Sequence, residues 1–137
     1  MKRLKGAMKM AHTEKIVLRL AALTEQGNRC IYCYEPLTKK TATADHLVPV
    51  IKYGLTRRGN IVAACRDCNM AKGSMSAAQF RRVIKSPPPG GPLKFFLARF
   101  RRRLWLAEFR ASNRIRASVG MDRLKLPKLP PPPSSTG

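Results

Sequence analysis

The sequence predicts a small α+β domain: two short strands flanked by helices and stapled at their base by a four-cysteine metal site. Three observations lead there. Two CxxC pairs, Cys30/Cys33 and Cys65/Cys68, can aim four sulfurs at one point. Two runs rich in β-forming residues, 41–50 and 61–64, lie between those pairs. Apolar residues recur at helical spacing before the first pair and after the second. At 137 residues the chain suits one compact domain with length left over.

The elements follow in order. Residues 1–12 form a basic segment carrying Lys2, Arg3, Lys5 and Lys9, with few signals for order. The compact domain spans 13–86. It begins with a helix over 13–26, where Ile16, Val17, Leu20 and Leu23 share a face and Gly27-Asn28 supplies the stop. After Cys30-Ile31-Tyr32-Cys33 comes a turn at Glu35-Pro36-Leu37. A strand over 41–50 then runs into a loop at Pro49, and 54–60 continues that loop. The second strand, 61–64, leads directly into Cys65-Arg66-Asp67-Cys68. A further helix starts after Ser76, whose spacing to Gln79 is that of a capping box; Phe80, Val83 and Ile84 are its apolar residues. The Pro/Gly-rich stretch 87–92 cannot continue a helix and reads as a linker. Residues 93–125 form a basic amphipathic extension, helical over 93–113, with Leu93, Phe96, Leu97, Phe100 and Leu104 in one stripe and Arg99, Arg101, Arg102, Arg103 and Arg110 over much of the rest. The Pro-rich 126–137 segment is expected to be disordered or polyproline-like.

Lys and Arg number 28 against 7 Asp and Glu, for a formal charge of +21. So large a charge on so short a chain opposes compaction and favours a polyanionic partner, with nucleic acid first and an anionic membrane second. The most apolar early stretch, 16–23, is short and contains Arg19, which fits neither a membrane span nor a signal-peptide core. A reducing cytoplasm is therefore the expected location. There, four cysteines serve as metal ligands more readily than as disulfides.

Two CxxC turns complete a tetrahedral Zn2+ site with no open position, which stabilises a fold and is not itself catalytic. A disulfide conflicts with the inferred compartment, and a redox CxxC does not explain why the motif occurs twice.

Between and just after the cysteine pairs stand Asp45-His46, Asn60 and Asn69. With Cys30-x-x-Cys33, Ala44-Asp45-His46-Leu47-Val48-Pro49, Arg58-Gly59-Asn60-Ile61-Val62 and Cys65-Arg66-Asp67-Cys68-Asn69 running to Lys72-Gly73, the stretch 27–73 resembles the zinc-ribbon branch of the HNH nucleases. The resemblance implies a ββα-metal (His-Me finger) fold and a metal-dependent DNA endonuclease. It makes His46 the general base, Asp45 and Asn69 ligands of a catalytic ion, and Asn60 the residue that fixes the loop and orients the histidine. Asn69 stands where the family more often has His, an H-N-N variant, which points to a hard ion, Mg2+ or Mn2+. Lys72, Arg57 and Arg58 are candidate phosphate contacts or, equally, solvated charges. His12 reads as an ordinary surface residue, and Asp67, inside its CxxC, as an outer hydrogen-bonding partner.

The family's chemistry leaves 5′-phosphate and 3′-hydroxyl ends. One site per chain nicks one strand, so double-strand cleavage would need a dimer or two events. Proteins of this size and type commonly look like phage, mobile-element or restriction proteins, so a dimer or larger phage or mobile-element complex is a candidate assembly. The alternatives are a non-catalytic zinc-ribbon nucleic-acid-binding protein and a nuclease acting on RNA or branched DNA. The basic extension, with fourteen basic residues from Arg81 to Lys128 against Glu108 and Asp122, lies outside the resemblance. It can follow a nucleic-acid backbone through Arg99, Arg101, Arg102 and Arg103, lie on an anionic membrane, or pack its stripe on a partner subunit.

Overall fold

An antiparallel hairpin organises the chain. The protein was analysed as a computed structural model that describes residues 2–125; the expected Pro-rich tail, 126–137, lies outside the described residues. Strand β1 is Ala42–His46 and β2 is Ile61–Cys65, paired from Ala42↔Cys65 to His46↔Ile61. Successive strand residues point to opposite faces, so Asp45 and His46 project to different sides of the hairpin. All five residues of β2 are buried, which requires cover on both faces.

Helix α1 is Lys2–Glu25 and packs on both strands. It begins eleven residues before the expected start at 13, so the basic segment described from residue 2 is helical rather than irregular. Ala7, Met8, Met10 and Ala11 are good helix formers. A helix nucleated by the packed 16–23 half gains one hydrogen bond for each residue it adds. It stops at Gly27 and Asn28, both in the left-handed region (φ 66 and 57); the Asn28 N–H donates to Leu23 O at 2.9 Å. Just past the helix, the buried Gln26 side chain acts as a strand edge: its Nε2 donates to Ala63 O and its Oε1 accepts from Ala63 N, each at 2.8 Å.

Helix α2 is Arg66–Lys72, beginning inside the second CxxC, and α3 is Ala77–Lys85. At the start of α3, Ser76 and Gln79 exchange both hydrogen bonds of the capping box, and Ala77 N donates to Leu47 O at 2.8 Å. Phe80, fully buried, presents its ring edge-on to Tyr32 (centroids 5.0 Å) and Phe95 (5.6 Å). Burying one such ring contributes roughly 1.5–3 kcal/mol, and it joins three elements that the sequence keeps far apart.

After the 87–92 linker, α4 spans Leu93–Ser118 and packs on α3. Its expected apolar stripe of Leu93, Phe96, Leu97, Phe100 and Leu104 faces solvent, and the docked face carries Phe95 and Ala98 instead. The helix has apolar residues on two sides. The side chosen is the one where Phe95 meets Phe80 and Lys94 reaches a buried acceptor. No described helix is long and apolar enough to cross a membrane.

Candidate metal centre and active site

The hairpin register places two sets of chemistry-bearing residues at its opposite ends. Cys65 pairs with Ala42 at one end and His46 with Ile61 at the other. Four strand steps separate them, roughly 13 Å along β1 at the usual rise. A metal held by the cysteines is thus too far away to act on a group at His46.

The sulfurs of Cys30, Cys33, Cys65 and Cys68 all lie within 4.8 Å of one another and all four residues are buried. Cys33 and Cys65 Sγ are 3.8 Å apart, and a tetrahedral zinc with sulfur ligands at 2.3 Å requires sulfurs about 3.8 Å apart. The cluster can hold a metal. Its first turn is shaped by Tyr34 in the left-handed region (φ 61), with Tyr34 N donating to Cys30 O at 3.0 Å and Cys30 N to Glu35 O at 2.9 Å. Its second turn is the start of α2, where Cys68 N donates to Cys65 Sγ at 3.4 Å. Hydrogen bonds from Cys30, then from Cys33 and Cys68, hold the Cys65 thiol far below its ordinary value, and Cys30 is lowered as well, first by its bond to Cys33.

Lys94 of α4 donates to Cys65 Sγ at 3.2 Å and to Asp67 Oδ2 at 2.7 Å. Burial opposes its charge, but the bonds to Asp67 and Cys65 outweigh this and raise its pKa. A cation beside the cluster reduces the repulsion among its sulfur charges.

At the other end, His46 closes β1 half-buried, with Nε2 3.0 Å from Thr56 Oγ1. Burial, and then the positive charge of Lys15 on α1, lower its pKa below the ordinary histidine value, against the upward pull of Asp45. Neutral imidazole therefore dominates at neutral pH. Asp45 is 5% exposed, its Oδ2 accepting from Tyr32 Oη at 2.5 Å and its Oδ1 from Lys72 Nζ at 3.0 Å. Burial first, and then the negative charge of Asp45, raise the Tyr32 phenol and keep it a donor. Lys72 also donates to His46 O at 2.9 Å. As a candidate phosphate contact Lys72 is a correction, because it is 2% exposed and its ammonium is turned inward. It tethers the Asp45 carboxylate and the His46 backbone to α2.

Asn69, also on α2, donates from Nδ2 to Thr43 Oγ1 (3.0 Å) and Ala44 O (3.3 Å), which turns its Oδ1 away from those acceptors. Asn60 is buried between the ends of the loop joining the strands. Its Oδ1 accepts from Val48 N at 2.9 Å, and its Nδ2 donates to Val48 O at 3.2 Å and Leu55 O at 2.8 Å. Thr56 follows Leu55 directly, so the clamp also sets the hydroxyl that meets His46.

Arg57 and Arg58 are exposed on the same loop, with Arg58 ion-paired to Glu25. Arg99, Arg102 and Arg103 are exposed on α4 and Arg101 is half-buried; Arg102 lies over the Tyr34 ring, 5.9 Å from its centroid. The α4 arginines thus belong to the helix docked at the cysteine end, while Arg57 and Arg58 belong to the His46 end. Four site residues left no usable signal in sequence. Tyr32 sits inside a CxxC, Thr56 is one polar loop residue among several, and Lys15 and Lys94 are two cations among 28.

Comparison with known proteins adds the following. Residues 30–85 match the profile of the HNH endonuclease family. The chain is 37% identical over 75 residues to the CRISPR-associated endonuclease Cas9 of Actinomyces naeslundii. It is 39% identical over 57 residues to the same-named protein of Corynebacterium diphtheriae. These alignments take in 54% and 41% of this chain but only 7% and 5% of those proteins, so the chain spans a small fraction of the relatives' length. The crystal structure of the Type II-C Cas9 enzyme from A. naeslundii aligns over 74% of this chain and 13% of its own, at 28% identity and a TM-score of 0.46.

Proposed function

Residues 30–85 being an HNH endonuclease domain, we propose that this chain is a metal-dependent DNA endonuclease whose general base is His46. The observation that carries the proposal is the state of that histidine. It ends β1 half-buried, its ring is positioned by Thr56, and burial and Lys15 lower its pKa, favouring the neutral form that can take a proton from water.

The four cysteines take Zn2+, which ties the Cys30–Cys33 turn to the end of β2 and the start of α2 and has no open position for substrate. The residues for a catalytic ion are Asp45 and Asn69, offered by β1 and α2. Each Asp45 oxygen keeps a lone pair beyond its bond to Lys72 or Tyr32, and Asn69 Oδ1 points away from β1's acceptors. One carboxylate and one amide oxygen suit Mg2+ or Mn2+, which would supply charge stabilisation to the phosphate. Lys72 and Tyr32 hold Asp45 in place, and Asn60 holds the loop. Arg57 and Arg58, with the arginines of α4, supply phosphate contacts along the DNA. With one His46 per chain, each chain nicks one strand, leaving a 5′-phosphate and a 3′-hydroxyl.

A second reading, a zinc-ribbon DNA-binding module without catalysis, is favoured by one observation: Asp45 is buried with both oxygens already bonded. Conversion of supercoiled plasmid to open circles separates the two. A nuclease converts it with added Mg2+ or Mn2+, is inhibited by EDTA, and leaves nicks that DNA ligase reseals. Retention of the plasmid in a gel shift, with no conversion in either metal, would overturn the enzymatic reading.

A further inference from the structure

The loop between the strands carries the most exposed apolar side chains near His46. Tyr53 is 94% exposed and Ile51 75%, with Val50 and Leu55 also largely in solvent. Yet this loop is tightly built. A short 3₁₀ turn, Val50–Lys52, is closed by Lys52 N and Gly54 N donating to Pro49 O (2.8 and 3.0 Å) and Tyr53 N to Val50 O (2.9 Å). Tyr53 itself holds the left-handed region, φ 64. Gly54 packs so closely that a Cβ there would stand 1.7 Å from Val48 O. Asn60 clamps Val48 to Leu55, and Lys52 Nζ donates to Gln79 Oε1 at 2.9 Å. The constrained backbone carries the Tyr53 ring out into solvent.

Its surroundings select the partner. Lys52, Arg57 and Arg58 are exposed on the same loop, Thr56 touches His46, and the chain carries +21. A second copy would bring the same charge, whereas a polyanion with flat apolar faces matches both the cations and the ring. In duplex DNA those faces are stacked inside, so a ring standing free in solvent meets them only where a strand is unpaired.

We infer that the Tyr53 ring stacks on an unpaired base of the DNA strand whose phosphate lies at His46, which makes unpaired or locally opened DNA the substrate class. This rests on the nuclease reading. The ring gives base contact without hydrogen-bond readout, so the contact tolerates any sequence.

The test is binding of the full-length, zinc-loaded protein to a fluorescein-labelled thymidine oligonucleotide and to an equally long strand of abasic sites. Calcium replaces magnesium so that binding is read without turnover. Tyr53→Ala removes the ring without removing the backbone N–H that donates to Val50 O, and its fold is checked by circular dichroism. The expected result is affinity for the thymidine strand lowered by about fivefold or more, unchanged affinity for the abasic strand, and recovery in Tyr53→Phe. Equal affinity of wild type and Tyr53→Ala for the thymidine strand, or equal losses on both strands, would overturn the stacking role while leaving the nuclease reading intact. Failure of the wild type to bind either strand would overturn unpaired DNA as the substrate class, while conversion of supercoiled plasmid separately decides the nuclease reading.

Discussion

Replacing Lys72 by Met tests whether the active-site end is organised around a buried ion pair. The substitution keeps most of the stem and removes the ammonium, which donates to Asp45 Oδ1 at 3.0 Å and to His46 O at 2.9 Å. The two side chains are 1% and 6% exposed, so the screening that makes surface pairs weak does not apply. At 3.0 Å and an effective dielectric of about 20, the attraction is roughly 5 kcal/mol before desolvation is subtracted. What the variant loses is dominated by the carboxylate left buried with Tyr32 as its remaining partner. Breaking such a pair from one side costs about 3–5 kcal/mol, a large share of the 5–15 kcal/mol typical of a domain. Removing both charges, in Lys72→Met with Asp45→Asn, should recover most of that loss. The assay is urea denaturation of zinc-loaded protein followed by far-UV circular dichroism, reading the midpoint shift at constant slope. A single-variant loss below about 1 kcal/mol, or a double variant no better than the single, would refute the buried pair as the organiser of this end.

Further outcomes follow from the same geometry. Stripping the metal from the four cysteines should unfold the hairpin end reversibly, because structural zinc contributes about 10–16 kcal/mol in zinc-finger peptides; mass spectrometry should find one zinc per chain, and an unaltered spectrum after chelation would contradict this. Lys94→Met removes the cation from Cys65 and Asp67 and should weaken zinc binding by roughly tenfold or more in a competition titration; unchanged affinity would mean that the contact is incidental. Because burial and Lys15 lower the His46 pKa, protonation disables the base only in more acid solution than for a free histidine. The nicking rate should rise with pH through a midpoint below about 6.5 and then level off. Lys15→Ala should move that midpoint upward, and a flat profile from pH 5 to 8 with chemistry rate-limiting would count against the role.

Residues whose chemistry is fixed by local spacing were legible in sequence. The CxxC pairs, the Ser76–Gln79 capping box and the second strand rest on spacing of a few residues, and the structure places each in its expected element. The first strand, expected over 41–50, instead ends at His46, and Val50–Lys52 forms a 3₁₀ turn. Long-range choices were not. The docked side of α4 depends on Phe95 meeting Phe80, and on Lys94 finding Cys65 across 29 positions of sequence. Two apolar faces on one helix gave periodicity no basis for choosing between them. Lys72 read as a candidate phosphate contact because it follows the motif on a basic chain, and only the packing of α2 on β1 turns it inward to Asp45. The extension of α1 back to Lys2 likewise comes from propagation off a packed half, which composition alone understates.

The most direct test of His46 as general base is the single-turnover nicking rate of His46→Ala beside wild type, in saturating magnesium, with matched zinc content and matched DNA affinity. Loss of at least about a hundredfold in rate, with binding unchanged, is the result expected of a general base. A rate within a few-fold of wild type would contradict it and remove His46 from the chemistry.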